Sequence, residues 1–214
     1  VSDAADLPSP DGEVVRRDAA GAVVERAVFR NGVLHGPWRL YAPGGALIRE
    51  AEYVDGRAHG LAVDYDAAGR PLAETRWENG RRQGAARVWN GGRLALELVW
   101  KDDVLDGPVT VRDPGGAVAA VAPHRAGAMH GLVEAFDPHG RRIVATEYAD
   151  GVKHGDSVVY APDGSEIERT RWIDGRPADA PSDETDAGAA AAPDPARAFY
   201  AALKVEATAR DQDT

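Results

Sequence analysis

The sequence predicts an all-β repeat protein: an elongated, curled antiparallel meander of β-hairpins with a short C-terminal α-helix. Three observations carry that expectation. Ring-bearing residues recur at Phe29, Tyr53, Trp77, Trp100, His124, Tyr148 and Trp172, in steps of 24, 24, 23, 24, 24 and 24 residues, with His124 filling an aromatic slot. Glycines keep phase with them, three residues on at Gly32, Gly56, Gly80, Gly127, Gly151 and Gly175, and seven residues on at Gly36, Gly60, Gly84, Gly107, Gly131 and Gly155. Between these marks apolar and polar residues alternate with period two, as half-buried strands do. Self-similarity at a fixed period of this length marks a repeat architecture.

The elements follow in order. Residues 1–11 form an acidic extension with Asp3, Asp6 and Asp11 and no Lys or Arg. The array occupies residues 12–176 as six full repeats with a fragment at each end; Gly12 and Gly21 open the first fragment, and Trp172 and Gly175 begin the last. Asn-Gly and Asp-Gly at 31–32, 55–56, 79–80, 150–151 and 174–175 provide the positive φ that two-residue hairpin turns require. Pro-Gly-Gly at 43–45 and Pro-Asp-Gly at 162–164 mark the turn at the other end. Two turns per repeat give two strands per repeat, about 14 in all, and a sheet of that width must twist or curl. Leu47, Arg49, Ala51 and Tyr53 alternate with Ile48, Glu50 and Glu52. A second ring-bearing slot stands twelve residues after the first, at Tyr41, Tyr65, Trp89, Phe136 and Tyr160, with Arg112 in place of a ring. Both aromatic rows are expected on the inner, sheltered side of the curl.

Beyond the array, residues 177–193 are rich in Ala, Asp and Pro and read as an acidic linker. Asp194-Pro195 supplies an N-cap and a first helical residue, and Phe199, Tyr200, Leu203 and Ala207 form an apolar stripe within a predicted helix at 194–210. A helix this short needs a surface, either its own array or a partner.

Composition excludes several classes. The 214 residues contain no Cys, so no disulfide, thiolate metal site or cysteine nucleophile exists. The net charge of −10 sits mostly at the ends: −3 over residues 1–11, −5 over 177–214, and −2 over the body between. A near-neutral array carries no basic footprint for nucleic acid and offers little attraction to an anionic membrane surface. No apolar run approaches the ~20 residues of a spanning helix. The first residue is Val, which leaves a removed leader or upstream region open, and the compartment with it.

The run Phe29-Arg30-Asn31-Gly32-Val33-Leu34-His35-Gly36-Pro37-Trp38-Arg39-Leu40-Tyr41 resembles the bacterial variant of the MORN repeat, found in proteins often labelled YwqK-family antitoxins. The resemblance covers about three quarters of the chain and implies a strand-only scaffold that binds protein partners or membranes. Two departures stand against it. The glycine that follows His-Gly in the eukaryotic form is absent at Trp38, Ala62 and Ala86, and the copy from Trp100 lacks its first glycine and second ring.

No catalytic residue emerges. His35, His59, His130 and His154 share one repeat slot, which points to a structural task in each turn and not to one active site. His124, His130, His139 and Asp137 lack ligand spacing for a metal, and Asp102, Asp103 and Asp106 lack the pattern of a calcium loop. No serine sits in a nucleophile elbow and no phosphate loop is present, so no cofactor or metal is expected. The candidate binding residues are the regularly spaced Tyr41, Tyr65, Trp89, Arg112, Phe136 and Tyr160, as anchors for a protein partner. The function expected is a non-enzymatic protein-binding scaffold, antitoxin-like or immunity-like by resemblance; the alternative is a structural or spacer component of the cell envelope or a larger assembly. The cluster of departures between Gly92 and His124 predicts a bend or a local minimum in stability.

Overall fold

The turns set the architecture. In the computed structural model, which describes residues 11–179, each two-residue turn holds both residues at positive φ: Asn31 and Gly32 at 51° and 72°, Asp55 and Gly56 at 47° and 76°, Asp150 and Gly151 at 48° and 90°. This is the geometry whose twist matches that of the flanking strands. The chain divides into two units, Val1–Gly92 and Arg93–Thr214, beside the one hairpin turn that the repeat shortens by a residue.

The first unit is an antiparallel meander of β1 (Gly12–Arg17), β2 (Val23–Arg30), β3 (Val33–Tyr41), β4 (Leu47–Val54), β5 (Arg57–Ala58), β6 (Gly60–Tyr65), β7 (Pro71–Glu78) and β8 (Arg81–Asn90). Strand β4 pairs with both β5 and β6; the remaining pairs run in chain order. The second unit repeats the scheme with β9 (Arg93–Lys101), β10 (Val104–Leu105), β11 (Gly107–Arg112), β12 (Val118–Arg125), β13 (Ala128–Met129), β14 (Gly131–Phe136), β15 (Arg142–Ala149), β16 (Val152–Tyr160), β17 (Glu166–Ile173) and β18 (Arg176–Pro177). The 18 segments exceed the expected 14 by four: His59, Asp106 and His130 each interrupt a strand for one residue, and β18 is the short start of a further strand. The predicted all-β meander is present; the predicted helix at 194–210 and most of the linker lie outside the described residues.

The interruptions are bulges built around the second glycine of the repeat. Between the pairs Phe29↔Leu34 and Ala27↔Trp38, one residue on β2 faces three on β3, namely His35, Gly36 and Pro37. Gly36 sits at φ 105°, and the same slot holds Gly107 at 140°, where an added Cβ would lie 2.8 Å from Val99 Cβ. Across the following strand each of these glycines faces a ring: Gly36↔Tyr53, Gly60↔Trp77, Gly131↔Tyr148, Gly155↔Trp172. A residue without a side chain leaves room for the ring to lie over the backbone.

On the ring-bearing face, here the front, small and branched residues pair directly across the strands. In the first unit these are Val14↔Ala27, Ala27↔Trp38, Trp38↔Ala51, Ala62↔Thr75 and Thr75↔Ala86. In the second they are Val109↔Ala122, Val133↔Thr146 and Thr146↔Ser157. Most of the deeply buried side chains belong to these rows, including Leu98, Val109, Val133 and Thr146. The back carries charge ladders such as Arg39 with Glu50 and Arg87 with Glu74, which are exposed and worth little individually.

Neighbouring turns stack on one another. Gly56, Gly80, Gly127, Gly151 and Gly175 each donate their backbone N–H, at 2.8–2.9 Å, to a carbonyl 22 residues earlier, in the strand of the preceding repeat. Contact is close: a Cβ on Gly127 would lie 3.2 Å from Val104 Cγ1. One turn departs from the chemistry the geometry favours, since Ala126 occupies a left-handed position at φ 50°. Such a conformation costs a residue with a Cβ about 1 kcal/mol, and Asn tolerates it better. Ala126→Asn is therefore expected to raise stability by about 0.5–1 kcal/mol, read as a higher urea midpoint with unchanged m-value.

Candidate functional site

The second aromatic row lies on the back of each unit, not beside the first. A two-residue turn pairs Phe29 with Leu34, so odd offsets from the first ring reach the front on the next strand, and the slot twelve residues on reaches the back. Contacts agree. Tyr65 donates its hydroxyl to Glu50 Oε1 at 2.6 Å, and Glu50 stands opposite Arg39 and Val63 on the back. The carboxylate holds the phenolic proton, pushing the Tyr65 pKa up to about 12, with burial adding to the effect. The expectation that both rows share the inner side is corrected by this parity.

Arg112 does the work of a ring in that slot. Its Nε and guanidinium NH2 donate to Glu97 Oε2 at 3.2 and 2.7 Å, the same 15-residue spacing as Tyr65 with Glu50. Tyr41, Tyr65 and Trp89 are half-buried in the first unit, and Arg112, Phe136 and Tyr160 are half-buried in the second. A one-residue bulge stands opposite each of several of these slots, as at Asp64/Tyr65 and Ala135/Phe136. It places an aliphatic residue beside the ring: Leu72 next to Tyr65, Ile143 next to Phe136 and Ile167 next to Tyr160, with Ile167 65% exposed.

Phe136 and Tyr160 come together in a shallow cleft of about 460 Å³, whose other walls are Arg141, Arg142, Pro162, Asp163 and the turn glycines. The Arg142 guanidinium lies over the Tyr160 ring, 5.6 Å from its centroid, and pairs with Glu134 at 2.9 Å. Arg141 is held by Asp137 at 2.7 Å. The cleft thus combines two ring faces with cations already neutralised by carboxylates. That chemistry suits aromatic, aliphatic and polar side chains of a peptide better than a free anion. The sequence singled out the two rings but not Arg142 or Ile143, since neither slot keeps one residue type from copy to copy.

The phased histidines take a turn role. The N–H groups of Asp55, Asp150 and Asp174 donate to Nδ1 of His35, His130 and His154 at 3.3, 3.4 and 3.5 Å. The same Nδ1 stands 3.2 Å from the carboxylate of that aspartate in each case. A neutral ring accepts the N–H through Nδ1, and a protonated one donates from Nδ1 to the carboxylate. Where the slot holds Asp11 or Asp106, the carboxylate accepts from Asn31 N at 3.0 Å or Ala126 N at 3.3 Å, and the turn residue carries no charge. Three of the four histidines of the slot, His35, His130 and His154, are matched with Asp, while His59 has Asn79 at the corresponding position, and the aspartates Asp11 and Asp106 are matched with Asn and Ala. His59 donates its backbone N–H to Glu52 O, and His139 its own to Asp137 Oδ1. His124 is buried on the front with Nδ1 2.9 Å from Ala122 O, and burial lowers its pKa. Among the described residues no three His, Asp or Glu side chains are grouped to hold a metal.

The opposite turns carry a cap that the sequence reading passed over. Asp66 Oδ1 accepts the N–H of Ala68 and of Arg70 at 2.9 Å, and Asp137 Oδ1 does the same for His139 and Arg141. The pattern Asp-x-x-Gly-Arg, at 66–70 and 137–141, was its available signal. Trp38 was also missed: its Nε1 donates to Glu25 at 2.6 Å and its ring meets Tyr53 edge-on at 6.2 Å.

No protein-family model matches the chain, and no curated protein matches it.

Two predictions follow from the turns. His130→Asp sets a carboxylate against Asp150 and lowers the thermal midpoint, and adding Asp150→Asn recovers most of the loss; a double variant no better than the single one contradicts the pairing. The backbone N–H bonds, with Arg70 and Arg141, hold the carboxyls of Asp66 and Asp137 below the usual aspartate range. A lowered folded pKa stabilises above the unfolded value and is lost as pH falls through the folded one. Thermal midpoints should therefore fall on acidification below about pH 4, less steeply in the Asp66→Asn, Asp137→Asn double variant.

Proposed function

We propose that the chain is a non-enzymatic protein-recognition scaffold whose contact surface is the aromatic margin on the back of the strands. The observation that carries this reading is the Phe136–Tyr160 cleft, open to solvent and continued by Ile143, 39% exposed, and Ile167. Consecutive rings in a unit are separated by two strands, about 10 Å, or roughly three residues of an extended peptide. Such rings serve as anchors, and the neutralised arginines orient polar groups of the partner. The resemblance of the repeats to the bacterial MORN variant adds an expectation about the partner, a toxic protein held by an antitoxin or immunity factor.

A second reading, a structural component of an assembly, is favoured by one feature. The outer edge of β17 pairs only at Trp172 and Ile173, with β18, so Glu166–Thr170 present an open strand edge among the described residues. An open edge is a template for another strand.

The test uses displayed random peptides selected on the intact chain. Phe136→Ala and Tyr160→Ala are expected to weaken selected peptides at least tenfold each, with β-sheet circular dichroism unchanged. Equal binding by wild type and both variants rejects the margin as the contact surface, and concentration-dependent growth of the particle in sedimentation favours the assembly reading.

A further inference from the structure

The array is cut at both ends in the middle of a repeat, and the two cuts match. The last fragment runs from the ring slot at Trp172 through Ala178, and the first begins one position later in the phase, at Gly12, which holds the place of Gly36, Gly60 and Gly131. Residues 172–178 and 12–28 together make one repeat of 24 residues. A single slot is doubled. Asp11 accepts Asn31 N–H there as the phased histidines accept in their turns, while Ala178, in the same slot, donates its N–H to Arg171 O as His59 does to Glu52 O. Both terminal strands keep the residue types of the interior. Val14 stands in the slot of Val109 and Val133, and Thr170 in that of Ala122 and Thr146; those four are 0% exposed, whereas Val14 and Thr170 are half-buried. Among the described residues β1 pairs only with β2, and beyond β16 the strand β17 pairs only at Trp172 and Ile173. Val15, 36% exposed, and Ile167, 65% exposed, stand on the back of these two edges.

We propose that β1 of a second copy pairs along the open edge of β17, so that the two half-repeats complete each other and chains join head to tail. The seams inside the chain dictate the register. Between a ring strand and the strand that follows it, the residue four before the ring faces the residue four after the second glycine, as in Arg49↔Asp64, Leu96↔Val111, Ala120↔Ala135 and Val144↔Val159. Carried to the ends, that rule sets Glu168 against Arg16 of the second copy, the reverse of the pair Arg49 with Asp64 at 3.2 Å. Arg16 leaves room for it, bound to Glu25 on its inner side yet 73% exposed. The same register sets Thr170 against Val14 and Arg169 against Val15. Glu166 and Asp156 already take up the charge of Arg169, so an apolar neighbour suits its stem. Pairing β17 with its own copy is disfavoured: with faces matched it sets Glu168 against Glu168 or Glu166, or Arg169 against Arg169. One of the two tails at the doubled slot, Asp11 or Ala178, turns away at the joint. Since the contact uses two different surfaces, a third copy can add in the same way. The proposal rests on the assembly reading and does not depend on peptide recognition at the back margin.

The chain has no Cys, so engineered thiols report the joint directly. Residues directly opposite in an antiparallel pair bring their Cα atoms to about 4.5–5.5 Å, within disulfide range. Full-length Arg16→Cys and Glu168→Cys variants, mixed and oxidised, are expected to give the mixed disulfide in preference to either homodimer, and the chain carrying both substitutions a ladder of covalent multimers. In sedimentation the wild type should grow with concentration beyond a dimer. Glu168→Lys, which meets Arg16 with a like charge, should weaken that association roughly fivefold, with β-sheet circular dichroism unchanged. Growth without the mixed disulfide overturns the joint and leaves the assembly reading standing, whereas a wild type that stays monomeric at every concentration overturns both. Homodisulfides alone, or a double variant that closes only within one chain, likewise reject the head-to-tail joint.

Discussion

The structure depends on pairs of residues held at positive φ in the two-residue turns. A hairpin closed in that way keeps the twist of its strands and leaves no spare residue, so it determines which side chain faces which across every strand pair. From Asn31 and Gly32 it follows that Phe29 stands opposite Leu34, that Trp38 and Ala51 meet on the front, and that Tyr41 turns to the back. The glycine bulge two turns of pleat further on opens a gap of two residues. An even gap leaves the parity intact, so the ring of the next strand still lands over Gly36.

The division of labour between the faces is a consequence. The front buries small and branched residues beneath rings, and its packing is governed by close approach. The back carries ion pairs along its centre and aromatic residues at one margin, away from the packed row. The recognition proposed for the back margin would thus draw on different side chains of the same strands than the packing of the front.

The irregular copy shows how such an array tolerates change. Each departure between Gly92 and His124 is met by a residue able to perform the same local task. Asp103 occupies the left-handed position at φ 68°, Asp106 accepts the turn N–H in place of histidine, Arg112 reaches Glu97 as Tyr65 reaches Glu50, and His124 fills the ring slot. The adjoining core, including Leu98, Val109 and Ala122, is among the most deeply buried in the chain.

The sequence by itself determined the repeat, its turns and the meander, because the physics involved is local. A left-handed pair admits few residues besides Gly, Asn and Asp, and a half-buried strand must alternate with period two. The same logic made the histidine slot recognisable as a turn element and placed Phe136 and Tyr160 in one regularly spaced row with Tyr41, Tyr65, Trp89 and Arg112. The tertiary structure alone decided which face each aromatic row occupies, because that parity accumulates through turns and bulges whose residue count is visible only in the pairing. It alone brought Arg142 onto Tyr160 and joined His130 to Asp150, contacts made between strands or turns whose residues lie 18 and 20 positions apart. It alone also showed how deeply the front of the second unit is buried, since alternation tells which side chains share a face and not how closely they pack.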